Sequence, residues 1–238
     1  MSSLEGRTVA IAGAAGGLGP DVARRLADEG ANLALTDIDV ARLEGLANDL
    51  GLPSERIDLR EVDLLDADSV RHWCDHLEQR FGGTDALVHL VGGWKGGDPI
   101  STTSLGDYEW LHDLLVHTVQ HATRAFYDAL AESAHGRFVL VSSAQAQDPD
   151  GTNASYAATK AAAEAWTLAL ADQFRKDESA ATANIVVVNA ILTPQMREDS
   201  PDKPFKTFTS TEDIAEAIAF TLSDSAAKMN GKRLELHP

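Results

Sequence analysis

Apolar runs of strand length alternate with amphipathic helical stretches along the whole chain, and this alternation most restricts the fold. The strand candidates are TVAIAG, ANLALTD, RIDLREVD, DALVHLVGG, RFVLVSS, NIVVVNAI and KRLELH. Most are rich in Val, Ile and Leu without strict alternation, which is typical of parallel strands covered on both faces. The helical stretches span about residues 18–29, 40–50, 67–81, 107–133, 155–176 and 211–223. Right-handed crossovers through such helices predict an α/β fold, with a doubly wound seven-stranded parallel sheet flanked by helices.

No repeat or linker divides the chain, so residues 1–238 are predicted to form one domain. One irregular segment, TPQMREDSPDKPFKTFTS, is predicted to be a surface loop at the C-terminal end of the sixth strand. In doubly wound folds ligands bind at that edge of the sheet.

The net charge of −17 argues against nucleic-acid and anionic-membrane partners, which require clustered cationic side chains. The N-terminus lacks a basic start followed by an apolar run, and the longest apolar stretch, IVVVNAIL, is too short to span a bilayer. We therefore expect a cytoplasmic protein with a small-molecule substrate. The chain has one cysteine, so it forms no intramolecular disulfide, and we predict no metal site.

The first strand ends in a glycine-rich turn, AGAAGGLG, directly before an amphipathic helix. Gly13, Gly17 and Gly19 would allow a tight turn, close backbone approach to a pyrophosphate, and close packing of the helix on the strand. The N–H groups of the helix N-terminus would then face the phosphates. The pattern predicts a Rossmann-type dinucleotide site.

Asp37 ends the second strand, eighteen residues after Gly19, where a ribose-binding acid is expected. Its carboxylate would accept hydrogen bonds from the ribose hydroxyls and repel a 2′-phosphate, which favours NAD over NADP. Asp39 suits the alternative role of helix N-cap better than Asp37 does. Asp63 closes the third strand and is predicted to reach the adenine, although capping of the next helix competes as an explanation.

Tyr156 and Lys160 lie four residues apart in the helical segment SYAATK, and Ser143 ends the strand RFVLVSS. Residues at this spacing share one helix face. A nearby ammonium favours the phenolate of a tyrosine whose unperturbed pKa is about 10. The serine hydroxyl could hold a substrate oxygen against the phenol.

Together these motifs resemble the short-chain dehydrogenase/reductase family over the whole length of the chain. The matching features are GAAGGLG, Asp37, Asp63, the paired serines, SYAATK, VVVNA and EDIAEAIAFTLSD. The resemblance implies that Tyr156 is the general acid/base, that Ser143 polarises the substrate oxygen, and that Lys160 holds the nicotinamide ribose. It also implies a cofactor site that includes Leu18, Leu64 and Gly92, and homo-oligomers, tetramers before dimers.

Three features depart from the family pattern. The usual Asn-Asn-Ala-Gly is replaced by His89-Leu90-Val91-Gly92. The family's catalytic asparagine, seven positions after a tryptophan, corresponds to His117 when counted from Trp110, so His117 is either a fourth catalytic residue or a packing substitution. The Pro-Gly motif after VVVNA is missing, which leaves Thr193 as the candidate partner of the nicotinamide carboxamide.

The predicted function is NAD(H)-dependent interconversion of a carbonyl and a secondary alcohol. Two alternatives stay open. The segments GGWKGGD and ILTPQMRED resemble those of dihydropteridine reductases, which favours a flat quinonoid substrate stacked on Trp94. His117 and the altered Asn-Asn-Ala-Gly motif would also suit an inactive cofactor-binding scaffold.

Overall fold

A computed structural model describes residues 4–236. In chain order the elements are β1 (Thr8–Ala12), α1 (Gly19–Asp28), β2 (Asn32–Asp37), α2 (Val40–Leu50), β3 (Ile57–Glu61), α3 (Ala67–Phe81), β4 (Ala86–His89), α4 (Leu105–His112), α5 (Thr118–Ala125), α6 (Tyr127–Glu132), β5 (Arg137–Ser143), α7 (Ala154–Lys176), β6 (Thr182–Val188), β7 (Ala190–Leu192), α8 (Pro194–Asp199), β8 (Phe208–Ser210), α9 (Thr211–Leu222) and β9 (Arg233–Glu235). A π-helical turn, Asp113–His117, joins α4 to α5.

Seven strands form one sheet in the order β3-β2-β1-β4-β5-β6-β9, and every neighbouring pair is parallel. This confirms the predicted seven-stranded parallel sheet. The strand β1 lies between β2 and β4, so the chain leaves β1 toward one side of the sheet and later returns to the other. Such a reversal opens a crevice at the carboxyl ends of the strands.

Helices cover both faces of the sheet and bury two apolar layers. Val9, Ile11 and Leu35 face α1, α2 and α9, whereas Leu87 and Phe138 face α3, α5, α6 and α7. The second layer contains Trp73 and Phe126, whose rings meet edge to face at 4.9 Å between centroids. Burial on both faces explains why the strands show continuous apolar runs.

A buried ion pair attaches the last strand to the long helix α7. Arg233 Nε on β9 donates to Glu164 Oε2 at 2.9 Å, and the Glu164 side chain is only 6% exposed. The predicted strand KRLELH includes His237, which lies outside the described residues.

The segment predicted as a loop after β6 contains the short helix α8 and the strand β8 instead. The strand β8 pairs in parallel with β7, which directly precedes the segment, as a separate two-stranded ladder. The helix α8 begins there because Thr193 Oγ1 accepts a hydrogen bond from Met196 N and Pro194 occupies the first turn.

The stretch predicted as one helix over 107–133 is also interrupted. The π turn separates α4 from α5, and a break at Phe126 separates α5 from α6. Among the described residues, 4–236, no helix is both long and apolar enough to cross a membrane.

Gly19 has no room for a side chain at the start of α1. A Cβ at this position would lie 2.0 Å from the Ala14 carbonyl oxygen. We predict that Gly19→Ala lowers the free energy of unfolding by about 1–3 kcal/mol, because the turn must shift to relieve the clash. Chemical denaturation measures this change.

Gly45 provides the matched control, because it lies inside α2 and a Cβ there would meet no atom within 4 Å. Gly45→Ala should raise the free energy of unfolding by about 0.5–1 kcal/mol, since glycine disfavours helix interiors. Equal stability of the two variants would contradict the close turn-to-helix packing at Gly19.

Candidate active site

The glycine-rich turn after β1 lies at the centre of the sheet edge, where its backbone closely approaches the backbone that follows β4. Gly13 has a φ of +81°, and a Cβ at this position would lie 2.8 Å from Val91 N. Gly13 N and Ala14 N both donate to Thr36 O at 3.0 Å, which attaches the turn to β2. These contacts leave an open backbone cradle directly before α1, as dinucleotide binding requires.

A cavity of about 1000 Å³ lies at the carboxyl ends of the strands. It brings together most of the predicted site residues, namely Gly13, Gly17, Leu18, Asp37, Asp63, Leu64, Gly92, Ser143, Tyr156, Lys160 and Thr193. Gly19 and His117 do not line it. Gly19 is buried beneath the turn, against Ala14, which agrees with the close packing expected at the start of the helix.

The Asp37 carboxylate lies in the cavity and is held by backbone N–H groups. Ala15 N donates to Oδ2 at 3.0 Å, and Ile38 N donates to Oδ1 at 2.8 Å. Asp39 N-caps α2 by accepting from Arg42 N at 3.1 Å, so Asp37 is free of that role.

Arg42 also lines the cavity. Sequence analysis missed this residue, although an arginine in the first turn of the following helix is a readable signal.

Asp63 lines the same cavity, and Leu65 N donates to its Oδ1 at 2.9 Å. The competing capping explanation does not hold, because α3 is capped by Asp66, which accepts from Asp68 N. Asp63 therefore keeps one carboxylate oxygen directed to other partners.

The side chains of Ser143, Tyr156 and Lys160 meet where β5 ends against α7. Ser143 is 1% exposed and Lys160 is 6% exposed. Lys160 Nζ donates to the backbone oxygen of Val141 at 3.0 Å, and it lies 5.9 Å from the centre of the Tyr156 ring. The expected grouping of hydroxyl, phenol and ammonium is present.

Burial controls the acid–base properties of this group. It raises the pKa of the Tyr156 phenol, while a hydrogen bond with the Ser143 side chain lowers that pKa. Burial lowers the pKa of Lys160 to about 8, and the nearby Glu164 carboxylate opposes this change. The phenol is therefore protonated at neutral pH, as a proton donor to a carbonyl must be.

His117 does not join the group, because the π turn contains one residue more than an α turn. The N–H of Thr118 bonds to Asp113 O, five residues back. The extra residue changes the direction of the side chains that follow it. Thr118 therefore lines the cavity, and its side chain is 3% exposed. His117 instead lies on the outer surface, where its Nδ1 is 3.0 Å from Asp113 Oδ1. Counting along an uninterrupted helix from Trp110 could not reveal this shift.

The same turn gathers a small polar cluster on the outer surface. Potential ligand atoms of His112, Asp113 and His117 lie within 4.8 Å of one another, a set that could hold a metal ion. The prediction of no metal site did not consider this cluster.

The substrate end of the cavity is closed by two loops that contact each other. Trp94 Nε1 donates to Asn153 Oδ1 at 3.0 Å, and Gly97 N donates to Thr152 O at 2.8 Å. Asn153 precedes α7 and lines the cavity together with Trp94. Nothing in its sequence context singled it out, because the contact joins segments 59 residues apart.

Comparisons with known proteins show the family of this chain. A family model described as enoyl-(acyl carrier protein) reductase matches residues 13–236. The chain is 28% identical over 250 residues to the oxidoreductase UcpA of Salmonella typhimurium, covering 97% of this chain and 93% of that protein. A short-chain dehydrogenase/reductase described as glucose/ribitol dehydrogenase, from Brucella melitensis, matches at 31% identity with a TM-score of 0.84, over 98% of this chain and 96% of that chain. The chain belongs to the short-chain dehydrogenase/reductase family.

As a short-chain dehydrogenase/reductase, the protein is an oxidoreductase of a family that uses nicotinamide cofactors. A gluconate 5-dehydrogenase from Burkholderia cenocepacia, in complex with NADP and tartrate, shares the fold with a TM-score of 0.85 at 24% identity, over 98% of this chain and 94% of that chain.

The Ser143 hydroxyl is the group that lowers the pKa of Tyr156 against the effect of burial. We predict that Ser143→Ala raises the pKa of Tyr156 further, because the phenolate loses a hydrogen-bond donor. Ultraviolet absorption of tyrosinate, with Tyr156→Phe subtracted, measures this pKa. Ser223→Ala is the control and should leave the pKa of Tyr156 unchanged, because it removes a buried hydroxyl that donates to Phe220 O away from the cavity. A lower pKa in Ser143→Ala would contradict the assigned hydrogen bond.

Proposed function

We propose that this oxidoreductase interconverts a neutral carbonyl compound and its secondary alcohol with NAD(H). The supporting observation is the buried contact of Ser143, Tyr156 and Lys160 at one wall of a cavity that also contains Asp37. The cradle at Gly13, where a Cβ would fill the space against Val91, suits a dinucleotide pyrophosphate.

The nicotinamide, when bound, supplies or accepts the hydride. The chain supplies the proton: in reduction, Tyr156 donates its phenolic proton to the carbonyl oxygen, and in oxidation the phenolate takes the proton back. Ser143 donates a hydrogen bond to the same oxygen and so stabilises the charge that develops there. The Lys160 ammonium, held by Val141 O, stabilises the phenolate. The carbonyl carbon gains a hydride and its oxygen gains a proton.

The preference for NAD rests on Asp37. Its charge would oppose a 2′-phosphate on the adenosine ribose, and its oxygens would accept the ribose hydroxyls. Arg42 favours the alternative of NADP, since a guanidinium binds phosphate well and this side chain also lines the cavity. We place Asp37 first because backbone N–H groups hold its carboxylate in place, whereas the Arg42 side chain is 71% exposed.

A neutral substrate follows from the side chains around Tyr156. Those that line the substrate end are Trp94, Gln145, Asn153, Met196 and Phe208. They offer apolar surface and amide hydrogen bonds without a formal charge, which suits polyols, hydroxylated rings or simple ketones. The Brucella protein described as glucose/ribitol dehydrogenase is consistent with this class.

A flat quinonoid substrate is the second candidate, because Trp94 lines the cavity and its indole N–H is held by Asn153. Such a substrate is already electron-poor and needs little help from an oxygen-binding hydroxyl. The buried Ser143 beside Tyr156 favours the carbonyl and alcohol class.

An inactive scaffold is disfavoured, since His117, one of its two supports, lies outside the cavity. The single domain, the cytoplasmic location and the homo-oligomer stay predictions.

Tyr156→Phe should lower turnover roughly 10²–10⁴-fold, because the variant keeps the ring and loses the proton-transferring group. Steady-state reduction of a panel of neutral ketones with NADH measures this loss. Tyr127→Phe is the matched control, since its hydroxyl bonds to Asp177 away from the cavity. Near-normal turnover in Tyr156→Phe would remove the tyrosine from the mechanism.

Asp37→Ala should reduce the preference for NADH over NADPH by about tenfold, equal to roughly 1.4 kcal/mol, because the repulsion of the 2′-phosphate is lost. Fluorescence titration with both cofactors measures the ratio of dissociation constants. Asp49→Ala, on the exposed side of α2, removes the same charge away from the cavity and should leave the ratio unchanged. Equal affinity of the unmodified protein for both cofactors would contradict the NAD assignment.

A further inference from the structure

His89, at the end of β4, is completely buried yet has two unpaired ring nitrogens. Its exposure is 0%, and neither Nδ1 nor Nε2 has a hydrogen-bond partner among the described residues. Burying an imidazole in this way costs free energy, because both nitrogens lose their hydrogen bonds to water. Buried polar groups of this kind usually bind ordered water or serve a function.

Strand alternation determines which way His89 points. In the sheet, His89 pairs with Ala12 on β1 and with Leu140 on β5. Residues paired across a sheet project from the same face, and Ala12 and Leu140 belong to the layer that packs against α5 and α7. The imidazole therefore points into the layer that contains Thr118 and Lys160.

Polar groups of three residues belong to this layer. Besides burial, which has the largest effect, the Lys160 ammonium lowers the pKa of His89 and the backbone of Thr118 raises it. Ser142 projects from the same face of β5 as Leu140, and its buried hydroxyl also has no partner among the described residues. The partners of His89 on β1 and β5 are apolar.

The charge that acts on His89 is the Lys160 ammonium on α7. Glu164 lies one turn further along α7 and is paired with Arg233. Burial and the charge of Lys160 lower the pKa of His89 to about 3. The imidazole is therefore neutral at working pH, with one N–H donor and one acceptor nitrogen.

The Lys160 ammonium has more N–H donors than its hydrogen bond to Val141 O uses. An ammonium group carries three N–H donors, and a single bond from Nζ, to Val141 O, is present. A second acceptor beside the ammonium would stabilise its charged form inside the fold.

We propose that His89 is a positioning residue for Lys160: its N–H donates to the Thr118 carbonyl, and its other nitrogen accepts from the ammonium through a bound water that also contacts the Ser142 hydroxyl. This inference deepens the proposed function, since it concerns the same site. The π turn is part of the arrangement, because it places Thr118 rather than His117 beside the ring.

The test is the pKa of Lys160, measured by NMR of protein labelled with carbon-13 at lysine Cε, without substrate or cofactor. The signal is assigned by its loss in Lys160→Met. His89→Leu removes both ring nitrogens, so the ammonium loses an acceptor and the pKa of Lys160 should fall by about one unit. His89→Asn keeps a donor and an acceptor and should hold that pKa within about 0.3 unit.

His76→Leu serves as the matched control and should not move the pKa of Lys160, since His76 on α3 is partly exposed and contacts Asp58 on β3. An unchanged pKa of Lys160 in His89→Leu would overturn the proposal. The measurement uses neither turnover nor cofactor. A negative result would therefore overturn the role of His89 without testing the proposed function.

A second measurement uses the unmodified protein and covers the case in which His89→Leu does not fold. Nitrogen-15 shifts of His89 should report a neutral ring with one protonated nitrogen from about pH 5 to pH 9. Titration of His89 within that range, or exchange between both tautomers, would contradict a ring fixed between Thr118 and Lys160.

Discussion

The hydrogen bond from the Lys160 ammonium to the Val141 carbonyl is the interaction on which the site depends. It holds the ammonium inside the fold at 6% exposure, where burial lowers the pKa of Lys160 to about 8. Glu164, one turn further along α7, opposes this change. The ammonium lies 5.9 Å from the centre of the Tyr156 ring, in a setting where little water screens a charge.

The parallel sheet supplies that carbonyl and the cavity together. Its strands end at one edge, where the turn at Gly13 is bonded to β2 and the Val141 carbonyl of β5 accepts from Lys160. The turn is held by backbone contacts, whereas the group of Ser143, Tyr156 and Lys160 consists of side chains from β5 and α7. The π turn before α5 adds Thr118 to the same cavity. The cavity therefore depends on strand ends and helix register.

The sequence predicted the sheet, its helices and most of the cavity, because hydrophobic periodicity and glycine placement are local signals. It left the role of His117 open, since a π turn adds one residue and changes the direction of the side chains that follow, and periodicity cannot show this. It also treated the segment after β6 as a loop, although Thr193 caps a short helix there. The contact of Trp94 with Asn153 joins distant segments, and only packing brings such residues together. The burial of His89 also results from packing of distant segments, so it could not be predicted from the sequence.

The proposed reaction is transfer of a hydride to a carbonyl carbon while the chain supplies the proton. The most direct test is incubation with NADH deuterated at its transferable position and a panel of neutral ketones and quinonoid pteridines, followed by mass spectrometry of the products. We expect a secondary alcohol with one deuterium on its carbinol carbon. Tight NADH binding without deuterium in any product would contradict it and favour a cofactor-binding scaffold, and deuterium in the pteridine alone would contradict the carbonyl and alcohol class.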